Sequence, residues 1–302
     1  MEFNFIKIIF ALAAMYTAII SVSLKLIEDY IPLFIRRAFR YGKYAEKTDH
    51  KIMKLFEVPK RYFKHFYAFS APLLSIILII TINRYLFNSE VPAIVYKILD
   101  ILLGPSRSAL VSSEATMIAL FLTTGHCWKR FYETHFVNVF SNAKINLSHY
   151  IIGFIHYIGV VTCIIGESHG FISSNRNDFD WRRITYFQLI CVCIFIMASR
   201  EQLQTNYILA NLRKDKNGNV VTISYKKPQG RLYNYISSPL QFTEIVTYTT
   251  LSLILWNSSS FHYVTIWVLA NQIGTAFLDD QWYKKTYKDC DKHRKILIPF
   301  LI

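Results

Sequence analysis

The 302-residue chain is 53% hydrophobic and only 18% charged, and Phe 23 with Tyr 20 give it an unusual aromatic content. That excess of apolar residues excludes an ordinary water-soluble globule and points to lipid as the solvent. Lys+Arg 34 against Asp+Glu 20 leave a formal net charge of +14. With no basic stripe on a soluble domain, this reads as topology and attraction to anionic lipid, with no nucleic acid as partner.

In chain order, seven runs approach the roughly 20 apolar residues that a helix needs to cross about 30 Å of hydrocarbon. They lie at about 5–24, 68–87, 109–127, 148–166, 185–203, 240–256 and 261–278. Backbone polar groups left unpaired in lipid are too costly, so each run is predicted to be a helix. The expected fold is an all-α multipass membrane bundle of about seven helices. The first run, within FNFIKIIFALAAMYTAIISVSLKLIEDY, lacks a basic leader and a clean small-residue cleavage site, and is read as a retained anchor.

Lys and Arg concentrate near 34–65, 128–147, 200–235 and 284–295, whereas 88–108 and 167–184 hold few. Across seven spans this alternation predicts an outside N-terminus and a cytosolic C-terminus. No repeat or linker divides the chain, so a single domain over 1–302 is expected, with 1–65 as anchor and cytosolic loop and 66–302 as core. The longest hydrophilic segment, RKDKNGNVVTISYKKPQGRLYNY at 213–235, carries a strong turn signal at Asn217-Gly218, followed by β-prone residues that suit a short hairpin. Five Cys, at 127, 163, 191, 193 and 290, form no CxxC pair, and neither a disulfide framework nor a metal site is expected. Asn257-Ser258-Ser259 is a weak glycosylation signal.

Ionisable and polar residues at the ends of spans are costly and become candidates for function. Four clusters meet this description. The first is LFEVPKRYFKHFY, with Glu57, Lys60, Arg61, Tyr62 and His65. The second is TTGHCWKRFYETHFVNVFSNAKI, where His126, Arg130 and Glu133 fall on one face at helical spacing. The third is REQLQTNYILANLRK, where Gln202, Asn206 and Arg213 make one stripe. The fourth joins YKKPQGRLYNYISSPLQFTEI to DDQWYKKTYKDCDKHRKILIPFLI. Singly, such residues are most often headgroup anchors or an interfacial aromatic belt. Four clusters converging on one face favour a site open to a charged cofactor at one end and to lipid at the other.

The ordered series YILANLRK, SYKKPQGRLYNYISSPLQFTEI, QWYKKTY and KHRKILIPFLI resembles the steroid 5-alpha-reductase family, and FEVPKRYFKHFY with KRFYETHFVNVFSNAKI resembles its polyprenol (polyprenal) reductase branch. The similarity runs from about residue 50 to the end, with the reductase-like C-terminal region from about 185. The resemblance implies a seven-helix endoplasmic reticulum enzyme that uses NADPH. By position it places Gln202, Asn206, Arg213, Tyr225, Tyr233, Tyr235, Ser237, Glu244, Tyr283 and Arg294 around the cofactor, Glu57 beside the substrate and Arg130 in the third-helix motif.

Arginine forks suit phosphates and aromatics suit base stacking. The chain has no GxGxxG fingerprint, so the cofactor is expected among helices and loops and not on a Rossmann domain. Hydride adds poorly to an isolated alkene, whose carbanion has no electron sink, but well to one conjugated to a carbonyl. The implied substrate is therefore the aldehyde polyprenal, in the route that makes dolichol for N-glycosylation. Glu57 and His126 are the candidate proton donors, with Arg130 orienting the site. Partners are the polyprenoid substrate and membrane lipids, with no obligate protein partner.

Five positions depart from the family pattern: Leu240 where Asn or His usually follows Ser-Pro, Asp279 and Asp280 before Trp-Tyr, Cys127 after the third-helix His, and Glu201 for a common His. An acid near a cofactor phosphate would repel it. The alternatives are accordingly a trans-2-enoyl-CoA reductase of very-long-chain fatty acid elongation and a catalytically inactive lipid-binding membrane paralogue.

Overall fold

The computed structural model describes residues 3–32, 35–36, 39–40, 44, 56–172, 179–287 and 294–301. All seven expected runs are helical within them. The helices are α1 (Phe5–Leu26), α2 (Phe63–Phe87), α4 (Ser113–Tyr132), α5 (Leu147–Ile165), α6 (Tyr186–Asn211), α7 (Pro239–Ile254) and α8 (Phe261–Thr286). One shorter helix, α3 (Ala93–Leu103), was not expected. It is an 11-residue amphipathic segment whose buried Val95, Leu99 and Leu103 recur every four residues.

Local chemistry sets the boundaries. Asn4 caps α1 by accepting from Lys7 N at 2.9 Å, Ser112 caps α4, and Thr185 with Gln188 forms a reciprocal capping box on α6. Pro239 sits at the first turn of α7, where its missing N–H costs nothing, so Ser-Ser-Pro marks a helix start. Helix α2 ends at Asn88, whose φ of 52° lies in the left-handed region that asparagine tolerates.

Among the described residues four helical stretches, Phe5–Leu26, Lys60–Phe87, Leu147–Ile165 and Tyr186–Asn211, are long and apolar enough to cross a membrane, which makes this a multipass membrane protein. Helices α4, α7 and α8 are more polar because much of their surface faces other helices. On α7, Thr243, Thr247 and Thr250 are buried and donate to carbonyls four residues back at 2.8–2.9 Å. Such hydroxyls are satisfied within their own helix and allow close packing.

The main interfaces pair α6 with α7, α1 with α8, and α2 with α4. Their core is built on fully buried Phe10, Leu74, Met117, Leu120, Ile164 and Phe261. Gly159 on α5 lets α1 approach, since a Cβ there would overlap the Phe10 ring. Apolar side chains such as Leu12, Met15, Ile79 and Ile196 point outward, as lipid contact requires. Cys127, Cys163 and Cys191 are buried free thiols, and Cys193 is an exposed one. Cys290 falls outside the described residues.

A two-stranded antiparallel ribbon, β1 (Glu57–Pro59) with β2 (Lys144–Asn146), ties the start of α2 to the start of α5, with Glu57 opposite Asn146. The segment after α6 makes the expected turn at Asn217-Gly218, closed by a single antiparallel bridge between Lys214 and Val220. The ladder stops there, because the turn is built on Asp215, whose carboxylate accepts from the Asn217 and Asn219 amides at 2.9 and 2.8 Å.

Candidate active site

At one end of the bundle the start of α2, the end of α4, the end of α6, the start of α7 and the end of α8 enclose a cavity of about 410 Å³. That is within the roughly 300–1,000 Å³ range of small-molecule sites. Helix α4 continues without a break into a π-helical turn, Glu133–Val137, a wider winding often found beside functional sites. The wall then follows the chain through Asn138, Val139, Phe140 and Ser141.

The inner end is a network of charges built around the buried Glu133, with Lys129, Arg130 and Glu244 partly buried. Arg130 donates through Nε to the Tyr67 hydroxyl at 3.0 Å and through NH1 to Glu133 at 2.5 Å, and its guanidinium stands 5.0 Å from the Tyr67 ring centre. Lys129, one residue earlier, lies 3.3 Å from the other Glu133 oxygen and donates to Gln202 Oε1 at 2.5 Å. Gln202 Nε2 donates in turn to Glu244 Oε2 at 2.5 Å. Only one orientation of the amide satisfies both neighbours, with its oxygen toward the ammonium and its NH2 toward the carboxylate. Two cations thus balance two carboxylates across α4, α6 and α7, which is what makes their burial tolerable.

The outer end is aromatic and basic. The Arg213 guanidinium stands 4.9 Å from the Tyr225 ring centre and donates to the carbonyls of Ser224, at 3.3 Å, and of Val139. Trp282 meets Tyr225 edge-on at 5.7 Å, and Lys226 lies beside it on the wall. Tyr233, in the loop before α7, is buried. Burial pushes its phenol well above the ordinary range, with Tyr283 and Asp279 nearby adding to the effect, so it stays protonated at neutral pH.

The expected cofactor residues separate into two sets. Gln202, Asn206, Arg213, Tyr225, Tyr233, Glu244 and Tyr283 all line the cavity, together with Arg130. Tyr235, Ser237 and Arg294 do not. Tyr235 is half exposed against Phe300, the Ser237 amide bonds Lys295 O, and Arg294 bonds Pro228 O, so these three join the C-terminal segment to the loop. Glu57 lies on β1 with Lys144 Nζ at 3.8 Å. His126 is buried against α6, with Nδ1 3.3 Å from Ser199 Oγ and its ring edge-on to Phe195. Neither lines the cavity.

Tyr67 and Lys129 were not read as site residues from sequence. Tyr67 opens an apolar run and looks like an interfacial aromatic, but it stands ten residues after Glu57 in the same cluster. Lys129 was overshadowed by Arg130, although a lysine three residues after His126 on a span was itself a signal.

The departures also find places. Asp280 pairs with Lys284 at 2.6 Å, and Glu201 accepts from Arg231 Nε at 3.1 Å outside the cavity wall. Asp279 does line the cavity, where it accepts from Tyr44 and from Ser238 Oγ at 3.4 Å. Leu240 and Gln241 lie together on the wall, and Cys127 is fully buried off it. The lining fits an anionic dinucleotide: Lys60, Arg130, Arg213 and Lys226 outnumber Glu244 and Asp279, and the two acids are already hydrogen-bonded.

The family described as 3-oxo-5-alpha-steroid 4-dehydrogenase matches residues 160–302, the C-terminal part that holds Gln202, Arg213, Glu244 and Tyr283. The polyprenal reductase of Drosophila melanogaster is 36% identical over 283 residues, 91% of this chain and 86% of that protein. The polyprenal reductase of Caenorhabditis elegans is 30% identical over 286 residues, 94% of this chain and 92% of its own length. That of Homo sapiens is 29% identical over 275 residues, covering 87% and 84% respectively. The cavity thus belongs to a reductase, and the chain is a member of the steroid 5-alpha-reductase family, in its polyprenal reductase branch.

Proposed function

We propose that the protein reduces the alpha-isoprene double bond of polyprenal with NADPH, in the endoplasmic reticulum membrane, with the cavity facing the cytosol. The product feeds dolichol supply for N-glycosylation. The observation that carries this reading is the two-ended cavity, with a basic and aromatic mouth outside the helix ends and a charge-balanced inner end among apolar helices.

The residues divide the work. Arg213 and Lys226 suit the phosphates of a dinucleotide, and the Tyr225–Trp282 pair offers aromatic faces for its rings. Gln202 and Asn206 stand about one turn apart on α6 and continue the polar stripe inward. NADPH, when bound, supplies a hydride. The Arg130 guanidinium, held by Tyr67 and Glu133, provides a fixed cation where the carbonyl oxygen of the substrate gains electron density, an arrangement that needs no reorganisation during reaction. The prenyl tail extends toward the lipid-facing helices, whose outward side chains are apolar.

This reading is consistent with a single domain, an outside N-terminus and a cytosolic C-terminus, and with polyprenoid and membrane lipids as the partners. The test is to purify the protein in detergent, add NADPH and a short polyprenal, and follow nicotinamide absorbance while identifying the lipid by mass. Loss of absorbance with a product saturated in its alpha unit is expected. Reduction of a trans-2-enoyl-CoA with no reaction of polyprenal would move the enzyme to fatty acid elongation. Absence of NADPH binding would leave a lipid-binding protein.

A further inference from the structure

We infer that Tyr67 is the catalytic proton donor to the carbonyl oxygen of the substrate, with Arg130 holding its phenol in place. The inference rests on the polyprenal reading above and names the group that this reading leaves unassigned.

Depth selects the candidates. Tyr225, Tyr233 and Tyr283 belong to the mouth, on the loop after α6 or in the last turns of α8. Tyr67, Arg130, Gln202 and Glu244 form the inner end. Gln202 lies nine residues before the end of α6, about 14 Å along a helix from it. A hydride acceptor reached from the mouth and tethered to lipid by its tail has its carbonyl at this inner end.

Chemistry then eliminates all but one. Arg130 keeps its protons at any accessible pH. Gln202 is committed at both ends of its amide, and Glu244 accepts from it. Glu57 and His126 do not line the cavity. The Tyr67 oxygen accepts from Arg130 Nε at 3.0 Å and has the Tyr157 hydroxyl beside it as a second donor, and a phenol that accepts through oxygen keeps its own O–H to donate to a partner in the cavity. Arg130 is itself fixed by Glu133 at 2.5 Å, which prevents it from swinging away.

The electron count closes. As hydride bonds to the β-carbon, the C=C pair moves between the α-carbon and the carbonyl carbon, and the C=O pair moves onto oxygen. That oxygen takes the phenolic proton and becomes an enol, while the O–H electron pair stays on Tyr67 as phenolate beside the Arg130 cation. The α-carbon then gains the one net proton that the reduction takes up from bulk solvent, the enol O–H returns its proton to Tyr67, and the saturated aldehyde is left with a neutral phenol.

The test uses the full-length protein in detergent without cofactor, loaded with a twenty-carbon prenyl enal carrying ¹³C at the carbonyl. Infrared difference spectroscopy reads the C=O stretch. Wild type is expected to lower that frequency relative to the same lipid in empty micelles, and Tyr67→Phe to abolish the lowering while NADPH affinity is unchanged. Turnover of Tyr67→Phe is expected to fall about 10²–10⁴-fold, the usual contribution of a positioned proton donor. Incorporating 3,5-difluorotyrosine at position 67, a more acidic phenol of nearly the same shape, is expected to deepen the shift, and this protein decides the matter if Tyr67→Phe does not fold. An unchanged stretch in both variants, with aldehyde bound and reduced, would overturn the inference and leave the reductase reading standing. A wild-type protein that neither binds nor reduces the enal would overturn both.

Discussion

Gln202 and Glu244, 42 positions apart in sequence, meet at 2.5 Å between α6 and α7, and the other end of the Gln202 amide holds Lys129 of α4. One side chain therefore bridges two partly buried charges of opposite sign on two helices. Gln202→Leu, close in volume but unable to bond either neighbour, takes the amide donor from Glu244 and leaves Lys129 with Glu133 at 3.3 Å and Ser199 O at 3.2 Å. A buried polar group that loses its partner costs about 1–3 kcal/mol, and charged ones cost more. The variant is expected to lower the melting temperature in detergent by several degrees and to depress turnover. Unaltered melting would show that the bridge carries no stability.

Arg213 joins two walls of the cavity mouth, donating to Ser224 O and Val139 O while its guanidinium lies over Tyr225. A charge-assisted bond to phosphate contributes about 1.5–3 kcal/mol. Arg213→Ala is therefore expected to weaken NADPH binding by roughly 10- to 100-fold, and Arg213→Lys, which keeps the charge and loses the fork, by less. Titration of the quenching of Trp282 fluorescence by NADPH checks both. Equal affinity in all three proteins would remove Arg213 from the cofactor site.

The helices were legible because lipid imposes one length and one polarity on every span, so Phe5–Leu26 and Tyr186–Asn211 declare themselves by composition alone. Gln202, Asn206 and Arg213 were legible for the same reason inverted: in an apolar run a polar stripe is conspicuous. The short α3 was missed because 11 residues with one buried face satisfy no spanning criterion. Tyr67 was missed because an aromatic at a span boundary has two meanings, interface anchor or cavity wall, and only the packing of α2 against α4 decides between them. Glu57 is the converse case, a charge conspicuous in the sequence that stands off the cavity wall. Its charge drew attention, but a charge can be absorbed locally, as Lys144 across the ribbon absorbs part of this one.

Gly159 and Phe10 set how closely α5 and α1 approach, since a Cβ at 159 would collide with the ring. Overpacking of this kind costs about 1–3 kcal/mol. Gly159→Ala is expected to lower stability by that amount, whereas the same change combined with Phe10→Leu recovers part of the loss. Thermal unfolding of the two single variants and the double variant measures the coupling. Additive losses would mean that the two residues do not share the contact.

Glu167 is buried at the end of the bundle opposite the cavity. It accepts from Ser258 Oγ at 2.9 Å, from the Ser259 amide at 2.8 Å and from Ser260 Oγ at 2.9 Å. Lys7, reaching across from α1, donates to Ser259 Oγ at 2.6 Å. One carboxylate thus fixes the turn between α7 and α8 and the start of α1. Glu167→Gln keeps the shape but replaces one acceptor oxygen with a donor facing hydroxyls and amides that also donate. The expected loss is about 1.5–3 kcal/mol, the strength of hydrogen bonds to a charged group. Because this cluster lies at the far end of the helices from Arg213 and Tyr225, NADPH affinity measured below the melting temperature is expected to stay at the wild-type value. A variant that melts normally yet loses cofactor would show that the two ends are coupled through the helices, and the separation drawn between a stabilising end and a catalytic end would have to be abandoned.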